Sequence, residues 1–388
     1  MKEIRSAGAS GLSDSYDAII VGAGIVGAAS AAECSRAGLK VLVLDRGPIG
    51  GGSTGSAMGH IVVMDDSEAQ FALTSYSRRL WRRLAAELPD DVEYDPCGTL
   101  WVAADEEEMA GMLRKKNYYE MNGARADVLD EASLAAAEPN LRRGLAGGLC
   151  VVDDAVIYPP CAARFLLAKA QEDGAEVRVG VDVISLSADG GVRLSDGTEI
   201  SATLSVNAAG CGSPALTPGL PVRKRKGHLV VTDRYPGFVR HQIVELGYLK
   251  SAHSVAADSV AFNVQPRGGG QVLIGSSRQY DAEKSDIDQD ILRRMLRRAV
   301  EFLPGLERLS ALRSWAGHRP ATPDKLPLIG RSPWNEKVWL ATGHEGLGIT
   351  TSLATGKLLA DLITGRPTEI PAAPYSPERL SKGDADHG

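Results

Sequence analysis

The sequence predicts an α/β fold: a Rossmann-like domain assembled from separated stretches of chain, with a mixed antiparallel-sheet domain inserted into it. Three observations lead there. A strand, a glycine turn, a helix and a second strand follow one another near the start. The same strand–turn–helix order returns near the far end. Between them lies a train of short apolar strands separated by turns.

In the opening unit, Asp17-Ala-Ile-Ile-Val21 is a short apolar run of the kind buried on both faces of a parallel sheet. It runs into Gly22-Ala23-Gly24-Ile25-Val26-Gly27, which fits G-x-G-x-x-G. The spacing predicts an alanine-rich helix over 25–37, stopped by Gly38. A second strand, Lys40-Val-Leu-Val-Leu44, ends at Asp45. Gly22 allows the tight turn, Gly24 lets the backbone approach a diphosphate, and Gly27 lets the helix pack on the strand. The helix start offers free N–H groups and partial positive charge to that diphosphate. Asp45 can accept from a ribose 2′-OH, and its charge disfavours a 2′-phosphate. This unit fits FAD and NAD equally.

The stretch that follows favours flavin. Arg46-Gly-Pro-Ile-Gly-Gly-Gly-Ser53-Thr54-Gly-Ser-Ala-Met58-Gly59-His60 is expected to be a polar, flexible loop outside the core. A nicotinamide-binding chain normally runs straight into its next helix and strand. A flavin-binding chain needs a backbone-rich loop along the diphosphate and under the isoalloxazine ring. Ser53 and Thr54 are expected to donate to phosphate oxygens, and Met58, Gly59 and His60 to border the ring.

At the far end, Val338-Trp-Leu-Ala-Thr342 leads into Gly343-His344-Glu345-Gly346-Leu347-Gly348-Ile349. Ala354, Leu358, Leu359 and Leu362 then recur at helical spacing, and Gly365 is the stop. A second glycine-lined helix start can aim its dipole at the flavin edge that gains negative charge on reduction. Leu204-Ser-Val-Asn-Ala-Ala209-Gly210 reads as a strand and small-residue turn closing over the adenine-side diphosphate. Glu176-Val-Arg-Val179 with Val183 reads as a strand pair beside the adenine. An NAD-linked dehydrogenase is the competing class; a yellow purified protein would dispose of it.

Composition narrows the rest. The 388 residues suffice for two domains. A net charge of -6 offers no basic footprint for nucleic acid, and no apolar run reaches the ~18 residues of a membrane-crossing helix. Residues 1–15 lack an apolar core and are expected to be a flexible leader, not a signal peptide. Five cysteines (Cys34, Cys97, Cys150, Cys161, Cys211) are odd in number and contain no C-x-x-C pair. That pattern fits a reducing cytoplasm, with the protein free or peripheral to the inner membrane face. His241, His253 and His387 lack ligand spacing, so no metal is expected. Arg78, Arg79, Arg82 and Arg83 are expected on the solvated face of a helix whose apolar stripe is Leu73, Tyr76, Leu80 and Leu84. Residues 286–302 read as an amphipathic helix with Ile287, Ile291, Met295 and Phe302 on one side.

The GAGIVG turn, the middle VNAAG, the GHRPATPDKLPLIG segment and the terminal GHEGLG turn resemble the D-amino-acid oxidase and glycine oxidase superfamily. They occur in its order, over about Tyr16 to Arg366. More narrowly, Ser56-Ala-Met-Gly-His-Ile-Val-Val-Met-Asp65 and Cys97-Gly-Thr-Leu-Trp-Val-Ala-Ala-Asp105 resemble bacterial D-hydroxyproline dehydrogenases. The resemblance implies a FAD-binding domain of glutathione-reductase type, from 16–88, 145–220 and 310–380. It implies a substrate domain from 89–144 and 221–309 whose sheet roofs the flavin. His228-Leu-Val-Val-Thr232, Gln242-Ile-Val-Glu245, Val260-Ala-Phe-Asn-Val-Gln265 and Gln271-Val-Leu-Ile-Gly275 suit that sheet.

The resemblance also implies roles. Arg319 matches a carboxylate-holding arginine, whose planar fork suits that ligand, and holding the carboxylate orients the α-carbon hydrogen. His344 and Glu345 border the flavin, with His344 either a substrate contact or a backbone support. His60 flanks the opposite side. Where this chain has Asn263, glycine oxidases carry a tyrosine that grips the carboxylate, and Tyr248 is the expected substitute. No cysteine follows Cys211, so FAD is expected to be noncovalent. The implied activity is oxidation of the C–N bond of a small amino or imino acid to the imine. Its narrowest form is a cis-4-hydroxy-D-proline dehydrogenase passing electrons to a quinone or other carrier. The alternatives are an oxygen-using oxidase of glycine, sarcosine or D-amino acids, a subunit of a larger amine dehydrogenase complex, and a silent flavoprotein. A homo-oligomer or a partner subunit is compatible with each.

Overall fold

Tyr16–Val21 is a central strand of a six-stranded sheet. Its order is Leu328–Arg331, Val338–Thr342, Ala202–Asn207, Tyr16–Val21, Val41–Asp45, Glu176–Val179. The computed structural model describes residues 15–246, 258–280 and 282–381. Leader residues 1–14, Tyr248, His253 and His387 lie outside the described residues. Neighbouring strands of this sheet run parallel except at the edge pair Leu328–Arg331 and Val338–Thr342. Ala18, Ile19, Ile20, Leu42 and Val43 are fully buried, as a sheet covered on both faces requires.

One face carries helices Ile25–Arg36, Pro159–Glu172 and Gly348–Thr364. Ala28, Ala29, Ala31 and Ala32 keep the first helix thin, so its neighbours approach closely. At Gly356 the approach is backbone to backbone: an added Cβ would sit 2.5 Å from the Ala29 carbonyl oxygen. The other face carries a three-stranded sheet in which Val183, Val192 and Leu194 pack on Ile19, Leu42 and Leu44. This corrects the expected strand pair beside the adenine. Glu176–Val179 pairs with Val41–Asp45, while Val183–Leu186 pairs with Val192–Leu194.

The second sheet has eight strands, in the order Ala311–Ala321, Arg223–Arg234, Gln271–Tyr280, Ser259–Pro266, Gln242–Glu245, Thr99–Ala103, Gly147–Val151, Ala126–Asp130. All neighbours are antiparallel but one, Gln242–Glu245 beside Thr99–Ala103. Two segments assigned by sequence to the nucleotide-binding part, within 145–220 and 310–380, belong here instead. Gly147–Val151 pairs with Thr99–Ala103, and Ala311–Ala321 pairs with Arg223–Arg234. Membership of a sheet is a tertiary fact, and neither strand announces its partner locally. Helix Gln289–Phe302 covers the outer face with Ile291, Met295, Ala299 and Phe302, and Phe302 stacks on Phe262 at 4.6 Å. It starts later than expected because Asp288 caps it, accepting from the amides of Asp290 and Ile291.

Two further expectations change. Arg78 is not on a solvated face: it is 4% exposed and donates to Asp154 at 2.7 Å. Phe71, Thr74, Arg78 and Trp81 recur at helical spacing and form a buried stripe of helix Glu68–Leu84. Arg79 and Arg82 do reach solvent, where they pair with Glu369 and Asp153. The glycine stretch after Asp45 is not an open loop. It holds a short helix, Gly52–Gly55, and buries Thr54 and Met58.

Candidate active site

The chain leaves Tyr16–Val21 toward Val41–Asp45 on one side and returns as Ala202–Asn207 on the other. Strand order reverses there, and a crevice opens at the carboxyl ends of the strands. A cavity of about 460 Å³ fills it, between the six-stranded sheet and the inner face of the eight-stranded roof. Its walls include Gly22, Gly24, Ile25 and Val26 from the first turn, Asp45 and Arg46, and Ser53, Thr54, Met58 and His60. Ala209 and Gly210 close one side, and Glu345, Gly346, Gly348 and Ile349 come from the last turn.

Several other expected residues shape the wall without lining it. The amide of Ala23 donates to Asp45 Oδ2 at 2.6 Å, and that of Gly47 donates to Asp45 Oδ1 at 2.7 Å. The carboxylate thereby ties the first turn to the end of the second strand. A Cβ on Gly27 would stand 2.9 Å from the Gly22 carbonyl carbon. Gly59 and Gly343 turn the chain with φ of 98° and 75°. Val183 is packed in the core behind the sheet and does not reach the cavity.

The hydroxyls of the glycine stretch are already engaged within the protein. Ser53 donates to the His318 carbonyl at 2.6 Å, so its proton is committed. Thr54 Oγ1 accepts from the Ile25 amide at 3.0 Å and keeps its own proton to donate.

The residues fit FAD. Two helix starts, at Ile25 and Gly348, face one cavity without side-chain caps or an acid in the first turn. Each therefore presents positive dipole charge to the cavity, with the Ile25 amide itself taken by Thr54 Oγ1. A Cβ at Gly22, where φ is 121°, would lie 2.8 Å from the Ala208 carbonyl carbon. Among the described residues there is no group of side chains that could hold a metal ion.

On the roof, the Arg319 guanidinium lies against bare backbone. A Cβ on Gly227 would be 2.6 Å from Nη2 and 2.8 Å from Cζ, and Gly346 faces its Cδ and Nε. Nη1 donates to the Ser277 carbonyl at 3.0 Å. His60 is held by two contacts: its Nδ1 lies 2.7 Å from Gln242 Oε1, and its carbonyl accepts from Thr350 Oγ1 at 2.8 Å. Burial pushes the His60 imidazole down to about 4. His344 is 4% exposed, with Nε2 2.9 Å from Thr355 Oγ1, and burial pushes it down to about 3. Both rings are neutral at pH 7, and His344 ties the last turn to its own helix.

A smaller chamber of about 80 Å³ opens beside the cavity and shares His60, Asn263, Arg319, Glu345 and Gly346 with it. Leu347, expected at the cofactor, lines this chamber instead. Sequence reasoning missed Gln70, Thr99, Trp101, Arg225, Gln242, Arg278 and Lys325, which also line it. Arg225 pairs with Glu345. The available signal was period-two alternation: Arg225 shares a face with Gly227 and Leu229, and Arg278 with Ser276. It becomes readable only once the strands and their faces are known. Asn263 Oδ1 and Gln70 Oε1 are buried and, among the described residues, meet no hydrogen-bond partner.

A family model described as DAO, FAD dependent oxidoreductase, matches residues 17–362. A glycine oxidase of Pseudomonas aeruginosa is 30% identical over 92% of this chain and 98% of its own length. A D-amino acid dehydrogenase of Paramagnetospirillum magneticum is 31% identical over 79% of this chain and 72% of its own. The crystal structure of glycine oxidase from Geobacillus kaustophilus superposes with a TM-score of 0.84 at 26% identity, covering 94% of this chain and 98% of that one.

Proposed function

Because the chain belongs to the DAO family of FAD-dependent oxidoreductases, we propose that it oxidises the C–N bond of a small amino or imino acid to the imine. The observation that carries this reading is the position of Arg319. Its guanidinium lines both the large cavity and the small chamber, so a carboxylate held there sits at their junction. Two parallel hydrogen bonds from the planar fork would fix that carboxylate and with it the α-carbon. When bound, the isoalloxazine ring supplies a two-electron acceptor for the hydrogen and electron pair that leave this carbon.

The amine must give up its proton before the nitrogen lone pair can assist. That proton goes to solvent: His60, pushed down to about 4, is too weak a base to hold it, but it borders both spaces and is suited to accept a hydrogen bond from the neutral amine. With its Nδ1 proton donated to Gln242 Oε1, its Nε2 lone pair is left to accept. Glu345 acts through Arg225, and His344 through the last turn; neither is assigned a step. For the nucleotide, the opening turn, Asp45 and the two helix starts hold FAD without a covalent bond.

The narrower reading is a cis-4-hydroxy-D-proline dehydrogenase that passes electrons to a quinone or other carrier. Its support is where the resembling segments lie. His60, Val62 and Met64 of residues 56–65, and Thr99 and Trp101 of residues 97–105, line the small chamber. Similarity to glycine oxidases favours the second reading, an oxidase that uses oxygen. Anaerobic reduction followed by air separates them, since rapid reoxidation with peroxide marks the oxidase. A screen of D- and L-prolines, hydroxyprolines, glycine and sarcosine with a dye acceptor tests the substrate. Arg319→Ala should raise KM strongly for carboxylate substrates; unchanged kinetics would remove Arg319 from the site.

A further inference from the structure

Left-handed backbone in this chain falls almost wholly on glycine. Among the described residues three others adopt it: Glu93, Lys325 and Glu345, with φ of 50°, 64° and 52°. Each carries backbone strain that a glycine would lack. Each also delivers a charged side chain. Glu93 meets Arg267 at 2.6 Å, and Glu345 meets Arg225 on the chamber wall. Lys325 lines that same chamber.

Strain of this kind persists where the surroundings over-determine it, and it clusters at functional sites. The turn over 322–326 is held in that way. The Lys325 amide donates to the Thr322 carbonyl at 3.3 Å. Thr322 Oγ1 donates to the Leu326 carbonyl at 2.8 Å, and the Leu326 amide donates to Asp324 Oδ1 at 3.2 Å. Arg379, in the short helix Glu378–Ser381, locks the turn from outside. Its Nε donates to Asp324 Oδ2 at 2.6 Å and its Nη2 to the Leu326 carbonyl at 2.7 Å. Of this turn, Lys325 lines the chamber and Thr322, Pro323, Asp324 and Leu326 do not. A backbone contact would be shared with those neighbours, so it is the long side chain that reaches in.

Resting on the reading of Arg319 as the holder of a substrate carboxylate, we propose that Lys325 supplies a second positive contact to that carboxylate. Both residues line one chamber of about 80 Å³. At ~10–15 Å³ for each water-sized group it admits about six of them, so an anion at Arg319 lies within reach of Lys325. The two cations complement each other. The guanidinium fork fixes direction, and the ammonium is a point charge on a flexible stem that follows the anion. Arg225 is matched by Glu345. Arg278 shares the wall from ordinary strand backbone, whereas Lys325 is the cation whose placement strains the chain. Arg379 is then a positioning residue that acts through the turn.

The test uses the flavin-loaded protein and three variants that separate charge from backbone. Lys325→Gly removes the ammonium and relieves the strain. Lys325→Asn removes it with a residue that tolerates left-handed backbone, and Lys325→Arg keeps the charge. Calorimetric Kd is measured for cyclopentanecarboxylate and for neutral cyclopentanecarboxamide, neither of which has an amine to oxidise. Lys325→Gly and Lys325→Asn should weaken the carboxylate about tenfold and the amide less than about twofold. KM with a dye acceptor should rise by a similar factor while kcat holds. Lys325→Arg should stay within about threefold of the parent. The glycine variant should melt at or above the parent temperature, which loss of a merely structural residue would not produce. Arg379→Ala should weaken the carboxylate in the parent and add nothing in Lys325→Gly. Carboxylate affinity that survives Lys325→Gly, or that falls equally with the amide, overturns the proposal. If no amino or imino acid reduces the flavin, the reading of the reaction fails instead. The analogue pair then decides the role of Lys325 alone, because it requires no turnover.

Discussion

Gly227→Ala puts the carboxylate-holding role of Arg319 to a sharp test. The glycine is not required by its own backbone, since it lies within strand Arg223–Arg234 and does not have a positive φ. It is required by its neighbour across the strand pair. An alanine Cβ would stand 2.6 Å from Arg319 Nη2 and 2.8 Å from Cζ, so the guanidinium must move. The group that yields is the end of a flexible side chain, so the stability cost stays near the low end of overpacking, about 1 kcal/mol. The functional cost is larger. Hydrogen bonds to a charged group contribute about 1.5–3 kcal/mol each. Losing most of a two-bond grip is about 2–4 kcal/mol, or roughly 30- to 700-fold in kcat/KM. The assay is steady-state kinetics with a dye acceptor, with flavin absorbance and thermal melting as controls for loading and folding. A double-mutant cycle sharpens it: with Arg319→Ala already present, Gly227→Ala should add almost nothing. A kcat/KM within about threefold of wild type, with flavin retained, would falsify the carboxylate role of this arginine.

Three more outcomes are expected. Asp45→Ala frees the amides of Ala23 and Gly47, so the variant should lose flavin on gel filtration and bind FAD at least about tenfold more weakly; full retention argues against the stitch. His344 is held well below its unfolded value, so the unfolded chain binds the extra proton between about 6.5 and 3. Its contribution is therefore complete above that window and lost as pH falls through it. Between pH 7 and 5 the loss is about 2 kcal/mol. His344→Gln should flatten the pH dependence of denaturant midpoints by that amount, and identical slopes for variant and parent contradict it. Arg78→Met strands the Asp154 carboxylate, which burial already pushes up to about 6, and should cost about 3–5 kcal/mol at pH 7. A carboxyl with a raised folded value is stabilising below that value and loses the benefit as pH rises. The deficit should therefore shrink at pH 5, and a pH-independent deficit would show that charge is not its cause.

The cofactor half of the site was legible because its signals are local. Each glycine turn, the helix it starts and the acid at Asp45 fall within a few tens of residues, and short-range physics dictates their form. The roof was legible only in part. The strands around Val230, Val244, Val264 and Ile274 declare themselves by apolar alternation. Strand Ala311–Ala321 does not, because serine, tryptophan, glycine, histidine and arginine interrupt the pattern. Arg319 was thus identified by resemblance and its strand was not. The burial of Arg78 had no local signal either, since its counter-charge Asp154 lies 76 residues away. Gln70, Arg225 and Arg278 reach the chamber only through pairings between distant segments. Such residues are where sequence reading runs out.

The backbone contact between Gly356 and Ala29 has a consequence for which nucleotide the protein can accept. It welds the opening and closing helices into one beam, so the distance between their two starts is a property of the protein and not of its guest. With the first start expected at the diphosphate and the second at the flavin edge, that fixed distance should measure the ribityl arm between phosphate and ring: riboflavin without its phosphate should engage only one end of it. The chamber wall, borne on other strands, can meanwhile be rewritten residue by residue without disturbing that measurement.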